Sequence, residues 1–169
     1  MHVIKKKILT TVLAAAAALS GAVVVSGPAH ADATPRPSIA CGSRSSYDYE
    51  TGFGLGQFFK AGSFCLTEGP FKAVFQGDGN LVVYKNDQVL WSSNTASPRE
   101  RSLAMRGNGD VVIQDGSPYC CGFAWSTGTS GTVGFYRLAM QSDGNFVLYN
   151  KSHVSLPFRA LWSSGTAGR

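Results

Sequence analysis

The chain has 169 residues, 44% of them hydrophobic, and carries 15 Lys and Arg against 10 Asp and Glu, for a formal charge of +5. Three of those bases, Lys5, Lys6 and Lys7, sit in an N-terminal stretch without acids, so beyond residue 31 the balance falls to 12 bases against 10 acids, or +2. Such a remainder excludes a protein that works through a basic face, so no nucleic acid and no acidic lipid surface is expected as a partner.

Lys5-Lys6-Lys7, the apolar run from Ile8 to Val25 and Ala29-His30-Ala31 are the charged, apolar and small-x-small parts of a secretory signal, residues 1–31. A membrane span is the competing reading of so long an apolar run, but the run is Ala-rich, interrupted at Ser20-Gly21 and closed by Gly27-Pro28. The expectation is a secreted, extracellular protein of 138 residues after cleavage at Ala31, with no stable membrane insertion. That length makes one domain with its own core. Export favours disulfides, and Cys41, Cys65, Cys120 and Cys121 allow three connectivities. Pairing Cys41 with Cys65 would tie an N-terminal arm to the first sheet and leave Cys120 and Cys121 as a vicinal pair or a redox-labile site. No metal and no cofactor is implied, because only His153 survives cleavage and no C-x-x-C spacing exists.

Residues 32–51 are rich in Pro, Ser, Arg and Tyr without periodicity and read as a flexible N-terminal arm. Residues 52–169 form the folded domain. Short apolar runs separated by Gly, Asn, Asp and Ser turns place strands at 71–75, 81–84, 89–91, 103–105, 111–113, 123–125, 135–140, 146–149 and 160–162. No helical stripe follows the signal, so the fold class is all-β.

The most informative feature lies within these runs. Gln76-Gly77-Asp78-Gly79-Asn80-Leu81-Val82-Val83-Tyr84 returns as Gln141-Ser142-Asp143-Gly144-Asn145-Phe146-Val147-Leu148-Tyr149, and a weaker copy begins at Arg106. Trp91, Trp125 and Trp162 trail the three starts by 15, 19 and 21 residues. Each unit is a small antiparallel sheet that cannot bury its inner face alone. Three such sheets closing around a pseudo-threefold axis would give the tryptophans a shared core.

Within a unit, Asp-Gly-Asn supplies the positive φ of a tight turn. Alternation then sends Asn80, Val82 and Tyr84 to one face, expected to be exposed and polar, and Leu81 and Val83 to the buried other. A carboxylate, two amides and a phenol around a small hydrophobe match a sugar, whose hydroxyls want donor and acceptor pairs and whose ring C–H groups want an apolar contact. Turn chemistry alone would explain one Asp-Gly-Asn, but not two complete five-position matches.

The repeated Q-x-D-x-N-x-V-x-Y motif, followed by Trp91-Ser92-Ser93-Asn94-Thr95, Trp125-Ser126-Thr127-Gly128-Thr129 and Trp162-Ser163-Ser164-Gly165-Thr166, resembles the monocot mannose-binding, or bulb-type, lectin family over Gln57 to Thr166. The resemblance implies a β-prism II fold, no catalysis, and binding of the terminal mannose of mannose-containing glycans. It carries that role to Gln76, Asp78, Asn80, Val82 and Tyr84, and to Gln141, Asp143, Asn145, Val147 and Tyr149. It does not reach the middle copy, where Arg106 replaces Gln, Asn108 and Asp110 are exchanged, and Gln114 replaces Tyr. Two sugar sites and one structural repeat are expected. The family also carries a disulfide between the first motif and the approach to the second, and this chain has Gly79 and no Cys near Arg101 to Leu103. Transfer of dimer geometry is therefore open, and a homodimer is neither required nor excluded.

Two other functions compete: a lectin-like antimicrobial or toxin module that uses the sugar sites for targeting, and a structural prism with relic pockets. Catalysis is disfavoured. His153 has no nucleophile elbow nearby, and Asp78 and Asp143 belong to different sheets, too far apart to flank one glycosidic bond. Asn150-Lys151-Ser152 fits a glycosylation sequon, and the insertion from Ser152 to Phe158 lengthens the last hairpin.

Overall fold

The computed structural model describes residues 41–50, 57–116 and 122–169. Cys120, Cys121, the signal, the first part of the arm and the domain boundary at 52 lie outside the described residues. Among those described there are twelve strands: β1 (Ser46–Glu50), β2 (Gln57–Lys60), β3 (Phe64–Glu68), β4 (Phe71–Phe75), β5 (Leu81–Lys85), β6 (Gln88–Ser92), β7 (Arg101–Met105), β8 (Val111–Asp115), β9 (Phe123–Ser126), β10 (Phe135–Met140), β11 (Phe146–Lys151) and β12 (Arg159–Ser163). The nine expected strands are β4 to β12. They build three four-stranded antiparallel sheets, β3-β4-β5-β6 with the first motif, β2-β7-β8-β9 with the middle copy and β1-β10-β11-β12 with the last. This is the expected all-β prism.

The fourth strand of each sheet comes from the N-terminal side in nested order: β3 joins the first sheet by a hairpin, β2 reaches the middle sheet and β1 reaches the last. The composition of Ser46–Glu50 predicts part of a flexible arm, yet it pairs with β10 from Ser46 opposite Ala139 to Glu50 opposite Phe135. The cause is non-local. β10 presents a row of unpaired N–H and C=O groups on its outer side, and an arm of weak intrinsic preference covers it. Residues just before β1 link two sheets, since Arg44 C=O accepts from Thr67 N–H at 2.8 Å and Ser45 C=O from Met140 N–H at 2.8 Å. The disulfide between Cys41 and Cys65 fixes this crossing, as the sequence favoured.

Alternation places Phe64, Leu66, Ala73, Phe75, Leu81, Val83, Leu103, Met105, Val111, Ile113, Leu138, Met140, Phe146 and Leu148 in one buried cluster between the sheets, each large side chain worth about 1.5 to 3 kcal/mol of burial. On the axis Trp91, Trp125 and Trp162 form a triangle with ring centroids 5.6, 5.5 and 5.3 Å apart, all edge-to-face. Such pairs add about 0.5 to 1.5 kcal/mol each beyond buried area. A β-bulge precedes the Tyr or Gln of every motif, between Val83 and Tyr84, Ile113 and Gln114, and Leu148 and Tyr149. The unpaired extra residue is Leu90, Ala124 or Leu161, immediately before each Trp. Strict alternation would point Leu and Trp to opposite faces; the bulge lets Leu90 with Trp91 and Leu161 with Trp162 pack on the core together.

The sheets interlock cyclically through the turn glycines. A Cβ on Gly109 would meet the Tyr136 hydroxyl at 2.6 Å, and one on Gly144 would meet the Phe71 ring at 2.6 Å. Both residues also have φ near +90°, so glycine is required for conformation and for room. At the third junction a Cβ on Gly79 would lie 2.7 Å from the Cβ of Arg101. Here the resemblance implies a covalent tie between the sheets, for which this chain has no cysteine at Gly79 or near Arg101. This chain uses Arg101, whose Nε donates to Asp115 Oδ1 at 2.8 Å and whose Nη1 donates to the Thr95 carbonyl. The Arg101 hydrogen bond holds the Asp115 carboxyl below its ordinary range.

Candidate functional site

The first motif occupies the turn from β4 to β5. Gln76 N–H donates to the Asn80 carbonyl at 2.8 Å and Gly79 N–H to the Gln76 carbonyl at 2.9 Å, while Asp78 Oδ1 accepts from Asn80 N–H at 3.0 Å. Asn80 Oδ1 accepts from Ser92 Oγ, Ser93 Oγ and Thr95 N–H at 3.0, 3.0 and 3.1 Å. Because a backbone N–H can only donate, this set fixes which amide atom is the oxygen. Thr95 Oγ1 completes the clamp by donating to the Gly79 carbonyl at 2.7 Å. Across the row, Gln76 Nε2 donates to Tyr84 Oη at 2.6 Å.

What this network leaves unused defines the site. Asp78 Oδ2 and Asn80 Nδ2 have no partner among the described residues, and the Tyr84 hydroxyl, having accepted from Gln76, keeps its proton to donate. Burial, and then the nearby Asp78 charge, pushes the Tyr84 phenol above its ordinary range, so it stays a donor throughout neutral pH. Asn80 is only 2% exposed, and an unpaired buried amide N–H is costly. Such a group is suited to a ligand hydroxyl. Val82, also 2% exposed, forms the floor between ladder partners Val74 and Ser92.

The face expected to be exposed is therefore corrected. Asn80, Val82 and Tyr84 do share a side opposite Leu81 and Val83, but Asn80 and Val82 are buried and Tyr84 is partly so. The clamp from β6 onward draws the amide down, and the flanking side chains enclose the valine.

The last motif repeats this arrangement between β10 and β11. Gln141 Nε2 donates to Tyr149 Oη at 2.6 Å, Asp143 Oδ1 accepts from Asn145 N–H at 2.9 Å, and Asn145 Oδ1 accepts from Ser164 Oγ and Thr166 N–H at 3.3 and 3.2 Å. Val147 is buried beneath. Asp143 Oδ2 and Asn145 Nδ2 again lack a partner among the described residues. The ten candidate residues thus fall into two groups of five on separate sheets, and each group converges.

The middle copy keeps the scaffold with different atoms. Asn108 Oδ1 accepts from Asp110 N–H at 3.2 Å, taking the role of Asp78. Asp110 Oδ1 accepts from Thr127 Oγ1 and Thr129 N–H at 2.8 and 3.3 Å, taking the role of Asn80. Its second oxygen accepts from Ser126 at 2.8 Å, so a satisfied carboxylate stands where the intact copies hold a free N–H. Arg106 lies over the exposed Phe123 ring, 5.0 Å from its centroid.

The clamp residues Ser92, Ser93, Thr95, Ser164 and Thr166 were not singled out from the sequence as part of the site. Their signal was the Ser and Thr recurring after each Trp, whose partner is unreadable until the turn is folded. Other features carry no chemistry. His153 Nδ1 contacts Ser155 Oγ at 2.8 Å in an exposed loop, and it accepts from Ser155 N–H as well, with no acid among the described residues bonded to it to complete a triad. No cluster of metal-binding side chains occurs among the described residues, and no helix among them is long and apolar enough to cross a membrane. The sequon is unusable in the fold, because Asn150 is buried and its Nδ2 donates to the Val133 and Phe135 carbonyls at 3.1 and 3.3 Å.

Comparison with known proteins bears on this geometry. No family model matches the chain. A mannose-specific lectin of Aloe arborescens is 31% identical over 103 residues, spanning 60% of this chain and 84% of the relative. Among solved structures, a monomeric monocot mannose-binding lectin from Gastrodia elata is similar with a TM-score of 0.58 and 32% identity, covering 73% of this chain and 98% of its own. The snowdrop (Galanthus nivalis) agglutinin, solved with methyl-α-D-mannoside, is similar with a TM-score of 0.54 and 27% identity, covering 66% and 94%.

Proposed function

The chain belongs to the monocot mannose-binding, or bulb-type, lectin family, and on that premise we propose that it is a lectin with two working mannose pockets and one closed repeat. It is not an enzyme: its relatives are lectins. One observation carries the count of two. In the first motif the buried Asn80, and in the last the half-buried Asn145, keeps its Nδ2 without a partner among the described residues, beside a carboxylate oxygen likewise unpartnered and a phenol O–H. In the middle copy the equivalent Asp110 has both oxygens engaged.

A hydroxyl entering an intact pocket donates its proton to Asp78 or Asp143 and accepts from the neighbouring Asn Nδ2. A second hydroxyl meets the Gln and Tyr pair, and the sugar's C–H face rests on Val82 or Val147. Each such site is small, with affinity on the order of millimolar. Retention on a branched mannan therefore comes from both sites acting together, with an effective concentration set by their fixed spacing.

Titration with methyl α-mannoside tests this reading. Two equivalents per chain are expected, one after either Asp78→Ala or Asp143→Ala, and none in the double variant. Three equivalents in the wild type, or binding that survives the double change, would defeat it. Export rests on residues 1–31, and N-terminal sequencing of protein recovered from culture medium should begin at Asp32.

A further inference from the structure

The two intact pockets differ in what lies beyond the phenol. Beside Tyr84 the β5–β6 turn is short, Asn86 and Asp87, and Lys72 crosses the phenol ring at 5.3 Å while pairing with Asp87 at 3.5 Å. Beside Tyr149 the β11–β12 connection runs from Ser152 to Phe158 and returns an aromatic ring to the outer face. The Phe158 centroid lies 6.4 Å from that of Tyr149, at 68°. Arg137, the ladder partner of Tyr149, places its guanidinium 4.7 Å from the same ring, and Lys151 its ammonium at 4.8 Å. Arg137 is held by Asp48, whose carboxylate accepts from Nε and Nη2 at 2.7 and 2.8 Å. Its Nη1 has no partner among the described residues.

We propose that Phe158 and Arg137 form a second subsite at the last pocket, taking the sugar residue next to the terminal mannose, so that this pocket reads an oligomannoside while the first reads a single sugar. The inference rests on the mannose reading above and extends it. Val147, Tyr149 and Phe158 lie in sequence along one face, and the step from one aromatic ring to the next is about the width of a pyranose. An aromatic edge or face receives the C–H surface of a sugar, and a guanidinium fixed by a bidentate carboxylate presents its remaining N–H groups to hydroxyls without first losing freedom of its own. The first pocket has neither group, since Lys72 is committed to Asp87 and no aromatic residue occupies its turn.

The test compares α-mannotriose with methyl α-mannoside, by calorimetry or heteronuclear NMR, on full-length single-pocket proteins. In Asp78→Ala, where only the last pocket works, the trisaccharide should bind about five- to tenfold more tightly than the monosaccharide. In Asp143→Ala the two ligands should bind alike. Adding Phe158→Ala to Asp78→Ala should erase the gain while leaving the monosaccharide affinity in place, and Phe158→Tyr should restore it. An equal gain from chain length in both single-pocket proteins would overturn the subsite, and so would a gain that survives Phe158→Ala. Loss of monosaccharide binding in both single-pocket proteins would instead overturn the pocket reading on which it stands.

Discussion

Replacing Asn80 by Asp separates the two jobs of that residue. Its Oδ1 holds the turn through Ser92, Ser93 and Thr95 N–H, and in the proposed pocket its Nδ2 serves the ligand. Asn80→Ala removes both and strands the buried Thr95 N–H, which costs about 1 to 3 kcal/mol and lowers the melting temperature by roughly 4 to 12 °C for a domain of this size. Asn80→Asp keeps an acceptor in place. The middle repeat shows that a carboxylate can fill this acceptor place, since Asp110 is 5% exposed and accepts from the equivalent Ser, Thr and backbone N–H, although its neighbour there is the neutral Asn108 where Asn80→Asp would face Asp78. Asn80→Asp should therefore lose less stability than Asn80→Ala, its remaining cost being the repulsion from Asp78.

Binding should respond the other way. A sugar hydroxyl has one proton, and in the proposed pocket that proton is directed at Asp78 while the oxygen accepts from Asn80. With a carboxylate at 80 the hydroxyl faces two acceptors and can satisfy one. The loss of about 1 to 3 kcal/mol corresponds to roughly 5- to 150-fold in affinity. The measurement is calorimetric titration with methyl α-mannoside in the Asp143→Ala background, beside thermal unfolding of Asn80→Ala and Asn80→Asp. Equal destabilisation by both changes would refute the acceptor role of Oδ1. Wild-type affinity in Asn80→Asp would refute the donor role of Nδ2.

Gly144→Ala must accept φ of +88° and place a methyl 2.6 Å from the Phe71 ring, so a loss of roughly 2 to 4 kcal/mol is expected in denaturant titration; a loss below about 0.5 kcal/mol would show that the junction is loose. The Cys41–Cys65 disulfide spans a sequence separation of 24, and the Cys41→Ser, Cys65→Ser double variant should lose about 3 kcal/mol, with unchanged denaturant midpoint as the contrary result. The hydrogen bond from Arg137 lowers the native Asp48 carboxyl below its ordinary 3.8. Its contribution is then complete above that value and drains away as pH falls through the lower native one. Wild type should exceed Asp48→Asn by a fraction of a kcal/mol at pH 6, because the pair is half exposed, and the two should converge near pH 2; a gap that widens on acidification would contradict the pairing.

The nine strands from β4 to β12 were legible because each carries its own signal, alternation bounded by Gly, Asn and Asp. β1 and β2 were not. Ser46–Glu50 and Gln57–Lys60 become strands by pairing with β10 and β7, far along the chain, and local composition cannot report a distant unpaired edge. The site was legible in residue identity and less so in depth. Two-residue periodicity put Asn80, Val82 and Tyr84 on one side, but it knows nothing of Ser92, Ser93 and Thr95, which arrive after another strand and draw the amide below the surface. The bulge before each Tyr is a case of the same kind, since Leu90-Trp91 breaks alternation for a packing reason visible only around the tryptophan triangle.

The middle repeat shows why scaffold and pocket can part company in this architecture. The turn asks position 110 for an acceptor pointing inward, and Asn and Asp supply one equally well. The ligand asks the same side chain for a donor pointing outward, which only Asn supplies. Exchanging Asn and Asp between 108 and 110 thus preserves both inward bonds, to Asp110 N–H and from Thr129 N–H, while removing the outward donor. The Arg106 side chain stays outside the inward set and lies over Phe123 instead. On the proposed reading a repeat of this kind loses function before stability, and binding sites are counted by the free atoms at each turn and not by the number of turns that fold.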